Sequence, residues 1–384
     1  MSQMAFPNGG NMRDMQQQVT EAVQQIVASG QERGLQVAVY RHGEQIVDAT
    51  AGYADTGRPV TSDTLFHVTS TGKGLTSTVV HTLVTAGAFG YDTPLVDLWP
   101  EFAANGKDRT TVRDVLTHSA GVPAVPADTR PEDLCDWQGM CERIAGATPW
   151  WEPGTQTGYH PQSYGYLLGE LVRRATGRTI STEMRERVAG PLGVVDELYF
   201  AVPSKELGRV ARHEQPDGEH LTAEMAAAMA ESVPFFRVLD GWTAAPLHAM
   251  PDAGYCNRTD VLTSDIPAGG VMSARAVARM YAALMRPVDG VRLIPQDQFT
   301  EVSAVGVGGL DAVLGFPVKR GLGYDVGFQG PLDSPTLFGM AGSGGTAAYA
   351  DPATGIAVAV AKNRVTAGDY SSFLAISAIV AEHI

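Results

Sequence analysis

Val19, Val23, Ile26 and Val27 recur at helical spacing through residues 14–29, and Gly30 follows as a stop. The chain should therefore open with an amphipathic helix. Two β-branched runs come next, LQVAVYRH and QIVDATA, joined at Gly43-Glu44 with turn chemistry suited to a hairpin. From about Ser70 to Val188 the apolar positions fall mostly at helical intervals. TGKGLTSTVVHTLVTAG and TVRDVLTHSAG each end on glycine, and SYGYLLGELVRRATG is amphipathic with Gly177 as its stop. Residues 201–265 lose the periodicity and read as an excursion or lid, with one Ala-rich helix around Ala223–Ala230. SARAVARMYAALM returns to helix. GTAAYAD and GIAVAVAKN then flank the turn Pro352-Ala353-Thr354-Gly355, and SSFLAISAIVAEHI closes the chain as a helix. Strands at both ends with helices between them predict one sheet shared by the termini and a helical insert.

Composition narrows the class. A chain of 384 residues with 44% hydrophobic and 18% charged positions can bury a large core and is too apolar for disorder. Its 28 basic and 42 acidic residues leave a net charge of −14, which repels phosphate backbones. Only five lysines occur (Lys73, Lys107, Lys205, Lys319 and Lys362) and the arginines are scattered, so no nucleic-acid partner is expected. Cys135, Cys141 and Cys256 form neither an even disulfide set nor a CxxC pattern, and read as reduced thiols. MSQMAFPNGGNMRDMQQQ lacks the apolar core of a signal peptide, and no run of about 18 apolar residues is present. The expectation is a cytoplasmic protein with no membrane partner.

Three segments carry candidate chemistry. Ser70-Thr71-Gly72-Lys73 is an S-x-x-K step; if Ser70 opens a helix, the ammonium lies beside the hydroxyl, and burial would let the lysine take the serine proton. The glycines flanking Lys73 each weaken a helix by about 1 kcal/mol, which suggests close packing there. Tyr159 lies 89 positions on, between a Pro-Gly loop and a helix. A phenol held near Lys73 could relay protons if a cation lowered its pKa. FGMAGSGGTAAYADPATGIAVAV crowds glycines before a strand, where backbone can approach a ligand closely and offer N–H groups to an oxyanion. Each has an ordinary structural reading too: a surface lysine, a packed tyrosine, a tight turn.

Together these segments resemble the serine β-lactamase and penicillin-binding-protein superfamily, in its class C-like branch of family VIII carboxylesterases. The resemblance spans about residues 17–380. It rests on LFHVTSTGKGLTS, TVRDVLTHSAGVP, WEPGTQTGYHPQSYGYLLGELVRRATGR, VAGPLGV and FGMAGSGGTAAYADPATG, five segments in the family's order. It implies a mixed α/β (α+β) fold of the β-lactamase/transpeptidase type, a central antiparallel sheet with flanking helices and an inserted helical domain. Residues 1–66 and 295–384 would form the sheet part, and 67–294 the mainly helical part.

By position, the resemblance makes Ser70 the acylating nucleophile, Lys73 its base and Tyr159 the proton relay, with the Ser70 and Ser343 N–H groups as oxyanion hole. Two departures stand out. Tyr159-His160-Pro161 replaces Tyr-x-Asn, and Met340-Ala341-Gly342 replaces Lys-Thr-Gly, removing a cation that elsewhere holds a substrate carboxylate. His160, Met340 and Gly342 are thus expected at the substrate, and Phe235, Phe236 and Trp242 are expected to wall an acyl pocket. The implied reaction is hydrolysis of a small-molecule ester or activated acyl group through an acyl-enzyme, with no metal and no cofactor. The alternatives are acyl transfer to an alcohol or amine, β-lactam hydrolysis, and a non-catalytic penicillin-binding-like protein; oligomeric state is left open. An α/β-hydrolase elbow at Ser343 lacks its first glycine. His213 and His220 sit in a Pro-Asp-Gly stretch without ligand spacing and are expected in a solvated loop.

Overall fold

The computed structural model describes residues 9–216, 221–328 and 330–384. Its centre is a nine-stranded sheet in the order 307–310, 317–320, 325–326, 338–341, 347–351, 356–362, 34–41, 44–55, 58–59. Every neighbouring pair is antiparallel. The two ends of the chain meet in its middle, where Leu35 pairs with Lys362 and the register runs on to Arg41 opposite Ile356.

The strand Gly34–Arg41 is buried on both faces, which explains its near-continuous apolar run. Val37 and Val39 join Val358 and Val360 under the terminal helices, packing with Val19, Val23, Phe373 and Ile376. Ala38, Ala359 and Ala361 belong to the core on the other face, and these small residues let the helix Ala274–Met285 lie close to the sheet. The first hairpin turns one residue earlier than expected: His42 and Gly43 both have positive φ (54° and 90°), the signature of a type I′ turn. The turn at 352–355 forms as expected, tied by Asp351, which accepts from the N–H groups of Ala353 and Thr354.

Between these strands lies the helical part. The helix Lys73–Thr85 is buried from Lys73 to Leu83, so its polar residues need internal partners. Thr76 donates to Pro267 O (2.6 Å), Ser77 bonds Tyr164 Oη (2.7 Å), and Thr78 bonds Tyr324 Oη (2.9 Å). Ser163–Thr176 ends at Gly177 in the left-handed conformation, φ 71°. The helix Val112–Leu116 stops short of the expected glycine because His118 turns to φ 57°.

Two expectations for 201–265 are corrected. Ala211, Ala249, Tyr255 and Cys256 lie in the main core, so the ends of this stretch are anchored rather than a free lid; only its middle exposes apolar residues, such as Val238 and Leu239. His213 is buried beside the His67 ring, not solvated, and burial brings it down to about 4. His220 lies outside the described residues. The three cysteines are free thiols. Among the described residues no helix is long and apolar enough to cross a membrane.

Candidate active site

Ser70 sits in a 3-10 turn, Thr69–Gly72, that runs directly into the helix beginning at Lys73. With about three residues per turn, positions i and i+3 eclipse, which sets Lys73 above Ser70 more closely than an α-helical turn would. Lys73 Nζ donates to Ser70 Oγ at 2.9 Å and to Ala268 O at 2.8 Å. Burial brings the Lys73 ammonium down to about 7, against the pull of Asp325. A neutral amine in hydrogen-bond reach of a serine hydroxyl can take its proton.

The turn is held under strain. Thr69 has φ 47°, a conformation that costs a non-glycine residue about 1 kcal/mol or more. It is tethered by its N–H to His67 Nδ1 (3.3 Å), while Thr71 Oγ1 bonds Thr346 Oγ1 (2.9 Å) and Thr346 Oγ1 donates to Val68 O (2.7 Å). The two glycines beside Lys73 are there for space: a Cβ on Gly72 would overlap the Gly269 backbone, and one on Gly74 the Tyr281 hydroxyl. Gly342 is similar, since a Cβ there would strike Val68 O and Thr69 Oγ1. It packs the Ser70 turn against the strand Phe338–Ala341 and does not line the cavity.

Tyr159 faces the same pair, with Lys73 Nζ 5.2 Å from its ring centre. Its loop packs on Trp151, Val313 and Phe235. Burial pushes the phenol above its ordinary value; a Ser70 hydrogen bond and the Arg320 charge oppose this, and Asp325 and Tyr370 add to it. The expected cation-lowered pKa is therefore corrected: the resting side chain is a neutral phenol. His160 is corrected as well. Its Nδ1 lies 2.6 Å from Gly158 O and its Nε2 accepts Val122 N–H at 3.2 Å, so it staples the loop and turns no nitrogen to substrate. His118 Nδ1 accepts the His160 N–H at 3.0 Å and its ring stacks on Tyr164.

The three segments converge on one cavity of about 1340 Å³, lined largely by apolar side chains. Ser70, Tyr159, Ser343, Met340 and Phe235 all line it. Phe236 and Trp242 do not; Phe236 stands edge-on to Phe235, and Trp242 packs on the main core from a short hairpin. The local sequence shows the aromatics but not their direction. Sequence reasoning also passes over Asp311, Arg320 and Asp325. Arg320 and Asp325 line the cavity near Tyr159 and form an ion pair of 3.5 Å, while Asp311 lies buried behind them. The only sequence signal of Arg320 and Asp325 is their place in the glycine-rich string KRGLGYD, and Asp311 has none.

A hydroxyl, a lowered-pKa amine and a phenol meeting in an apolar cleft define a class: enzymes that work by acyl transfer through serine. The chain belongs to the beta-lactamase family, whose model matches residues 19–379. It is 34% identical over 339 residues to the esterase/beta-lactamase LipL of Mycobacterium tuberculosis, covering 86% of this chain and 76% of that protein. Among solved structures, it superposes on a family VIII carboxylesterase with a TM-score of 0.83 at 28% identity, covering 100% of this chain and 99% of that one. A penicillin-binding-protein homologue from Caulobacter crescentus matches with a TM-score of 0.82 at 30% identity, over the whole of both chains. The protein is thus an enzyme of the serine esterase/β-lactamase superfamily with the β-lactamase/transpeptidase-like fold.

Proposed function

We propose that this protein is a serine carboxylesterase that cleaves neutral carboxylic esters through a Ser70 acyl-enzyme. The observation that carries the reading is the 2.9 Å contact between Ser70 Oγ and a buried Lys73 amine whose pKa is about 7. Ser70 Oγ bonds to the acyl carbon, its proton passes to the Lys73 amine, and the carbonyl oxygen takes the negative charge between the Ser70 and Ser343 N–H groups. The acyl–oxygen bond then breaks. Tyr159 gives its proton to the departing oxygen and recovers one from Lys73. Water enters by the same steps in reverse and releases the acid.

Neutral substrates are favoured because Met340, 2% exposed in the cavity wall, offers a thioether where a cation would hold a carboxylate. The descriptions of the esterase relatives support the same class. The test is Ser70→Ala on p-nitrophenyl butyrate: turnover should vanish while the melting temperature stays within a few degrees of the parent. Retained turnover refutes the nucleophile.

A further inference from the structure

One buried ion pair grips Tyr159 from two sides. Asp311 accepts the Tyr159 backbone N–H on both carboxylate oxygens, at 3.1 Å each, and also those of Val313 (2.8 Å) and Leu314 (2.7 Å). Arg320 Nη2 meets Asp311 Oδ2 at 2.7 Å, and Arg320 Nη1 donates to Thr157 Oγ1 at 2.8 Å, two residues before Tyr159. The guanidinium carbon lies 6.0 Å from the centre of the Tyr159 ring. The Arg320 and Asp311 side chains are 3% and 0% exposed. A planar fork held by two partners cannot swing away, so its charge is stationed beside the phenol.

We infer that the Asp311–Arg320 pair positions Tyr159 and supplies the positive charge that Met340 withholds, acting on the proton handed to the leaving group. The inference rests on the esterase reading above. As Tyr159 O–H gives its proton to the departing oxygen, the phenol oxygen becomes phenolate-like until the Lys73 ammonium reprotonates it. Burial disfavours that moment, and a fixed cation favours it. Of the other groups around the ring, Asp325 and Tyr370 oppose the phenolate, burial keeps His118 and His160 neutral, and Lys73 changes charge as it takes up and gives back a proton. Arg320 alone among these is a cation throughout the cycle.

This separates from mere packing by leaving group. Nitrophenolate departs without protonation, whereas the methoxide of methyl butyrate must receive a proton, so only the second ester tests Tyr159 as acid. In Arg320→Met, kcat/KM on methyl butyrate should fall about tenfold or more beyond any fall on p-nitrophenyl butyrate, within the range of general-acid effects. Arg320→Lys keeps the charge and should hold the ratio of the two esters within about threefold of the parent, with the loss in kcat rather than KM. Falls that match within about threefold in Arg320→Met would mean packing only and overturn the inference. Should the methionine variant not fold, the lysine variant decides: a ratio shifted tenfold or more against methyl butyrate overturns the charge role. Ser70→Ala turning over both esters would instead refute the esterase reading, independently of this ratio.

Discussion

If the buried Lys73 amine is the base, ester turnover must follow its titration. Burial places the ammonium at about 7 rather than the ordinary 10.5. An amine of that pKa is roughly 9% neutral at pH 6 and roughly 91% neutral at pH 8, so kcat/KM should rise about tenfold over this interval and then level off. A lysine titrating at its ordinary value would give a rise of roughly a hundredfold over the same span with no plateau. The assay is kcat/KM on p-nitrophenyl butyrate from pH 5.5 to 9, corrected for spontaneous hydrolysis. Asp325→Asn sharpens it. That carboxylate is the one charge that raises the Lys73 pKa, so its removal destabilises the ammonium and moves the inflection to lower pH. Relative activity at pH 6 should then increase. Burial raises the Asp325 carboxyl's own pKa, so the difference between the two proteins is largest where that carboxyl is ionised, on the neutral side of the profile. A parent profile that climbs unbroken to pH 9, or an inflection that moves up in Asp325→Asn, refutes Lys73 as the base.

Other outcomes follow from the packing and the cleft. Gly72→Ala should destabilise the fold by about 1–3 kcal/mol, because its Cβ meets backbone that cannot yield; thermal melting reads this, and an unchanged melting temperature contradicts the crowding at Gly269. Phe235→Ala should change acyl-chain preference with little loss of stability, whereas Trp242→Ala, set against the core, should cost about 1–3 kcal/mol and slow all esters alike. A chain-length series from acetate to octanoate, with melting curves, distinguishes them. Penicillin G and cephalothin should be poorer substrates than p-nitrophenyl butyrate by at least about tenfold in kcat/KM, since no cation stands at Met340; equal efficiencies would contradict that.

What could be read in the sequence was local. Ser70 and Lys73 are three residues apart, so any helical turn brings them together, and the odd glycines at 72 and 74 already pointed to close packing. The strands Gly34–Arg41 and Ile356–Lys362 were legible because burial on both faces demands an unbroken apolar run. Tyr159 showed its place through the Pro-Gly loop before it. Its environment did not show. Arg320 and Asp325 come from short strands at the sheet's far edge and Asp311 directly follows the outermost one, so only long-range pairing decides which side chains turn inward. Histidine roles were equally hidden. His160 and His213 are buried by tertiary packing that leaves no local period, and the positive φ of His118 has no glycine to announce it.

The same local fixing keeps the site organised with an uncharged side chain at 340. Lys73 and Ser70 are fixed by one turn and by Ala268 O, and Tyr159 is fixed by its backbone to Asp311, so neither depends on the side chain at 340. Met340 is free to become apolar cavity wall. The guanidinium near Tyr159 is a poor substitute for a cation at 340 toward a substrate carboxylate, because its charge already faces two carboxylates, Asp311 at 2.7 Å and Asp325 at 3.5 Å. An incoming anion would meet the negative charges of Asp311 and Asp325 beside that guanidinium, which is unfavourable. A neutral ester meets no such opposition. A cleft whose arginine is already paired, and whose wall at 340 is a thioether, should therefore select neutral esters over anionic substrates, which the penicillin G comparison above tests.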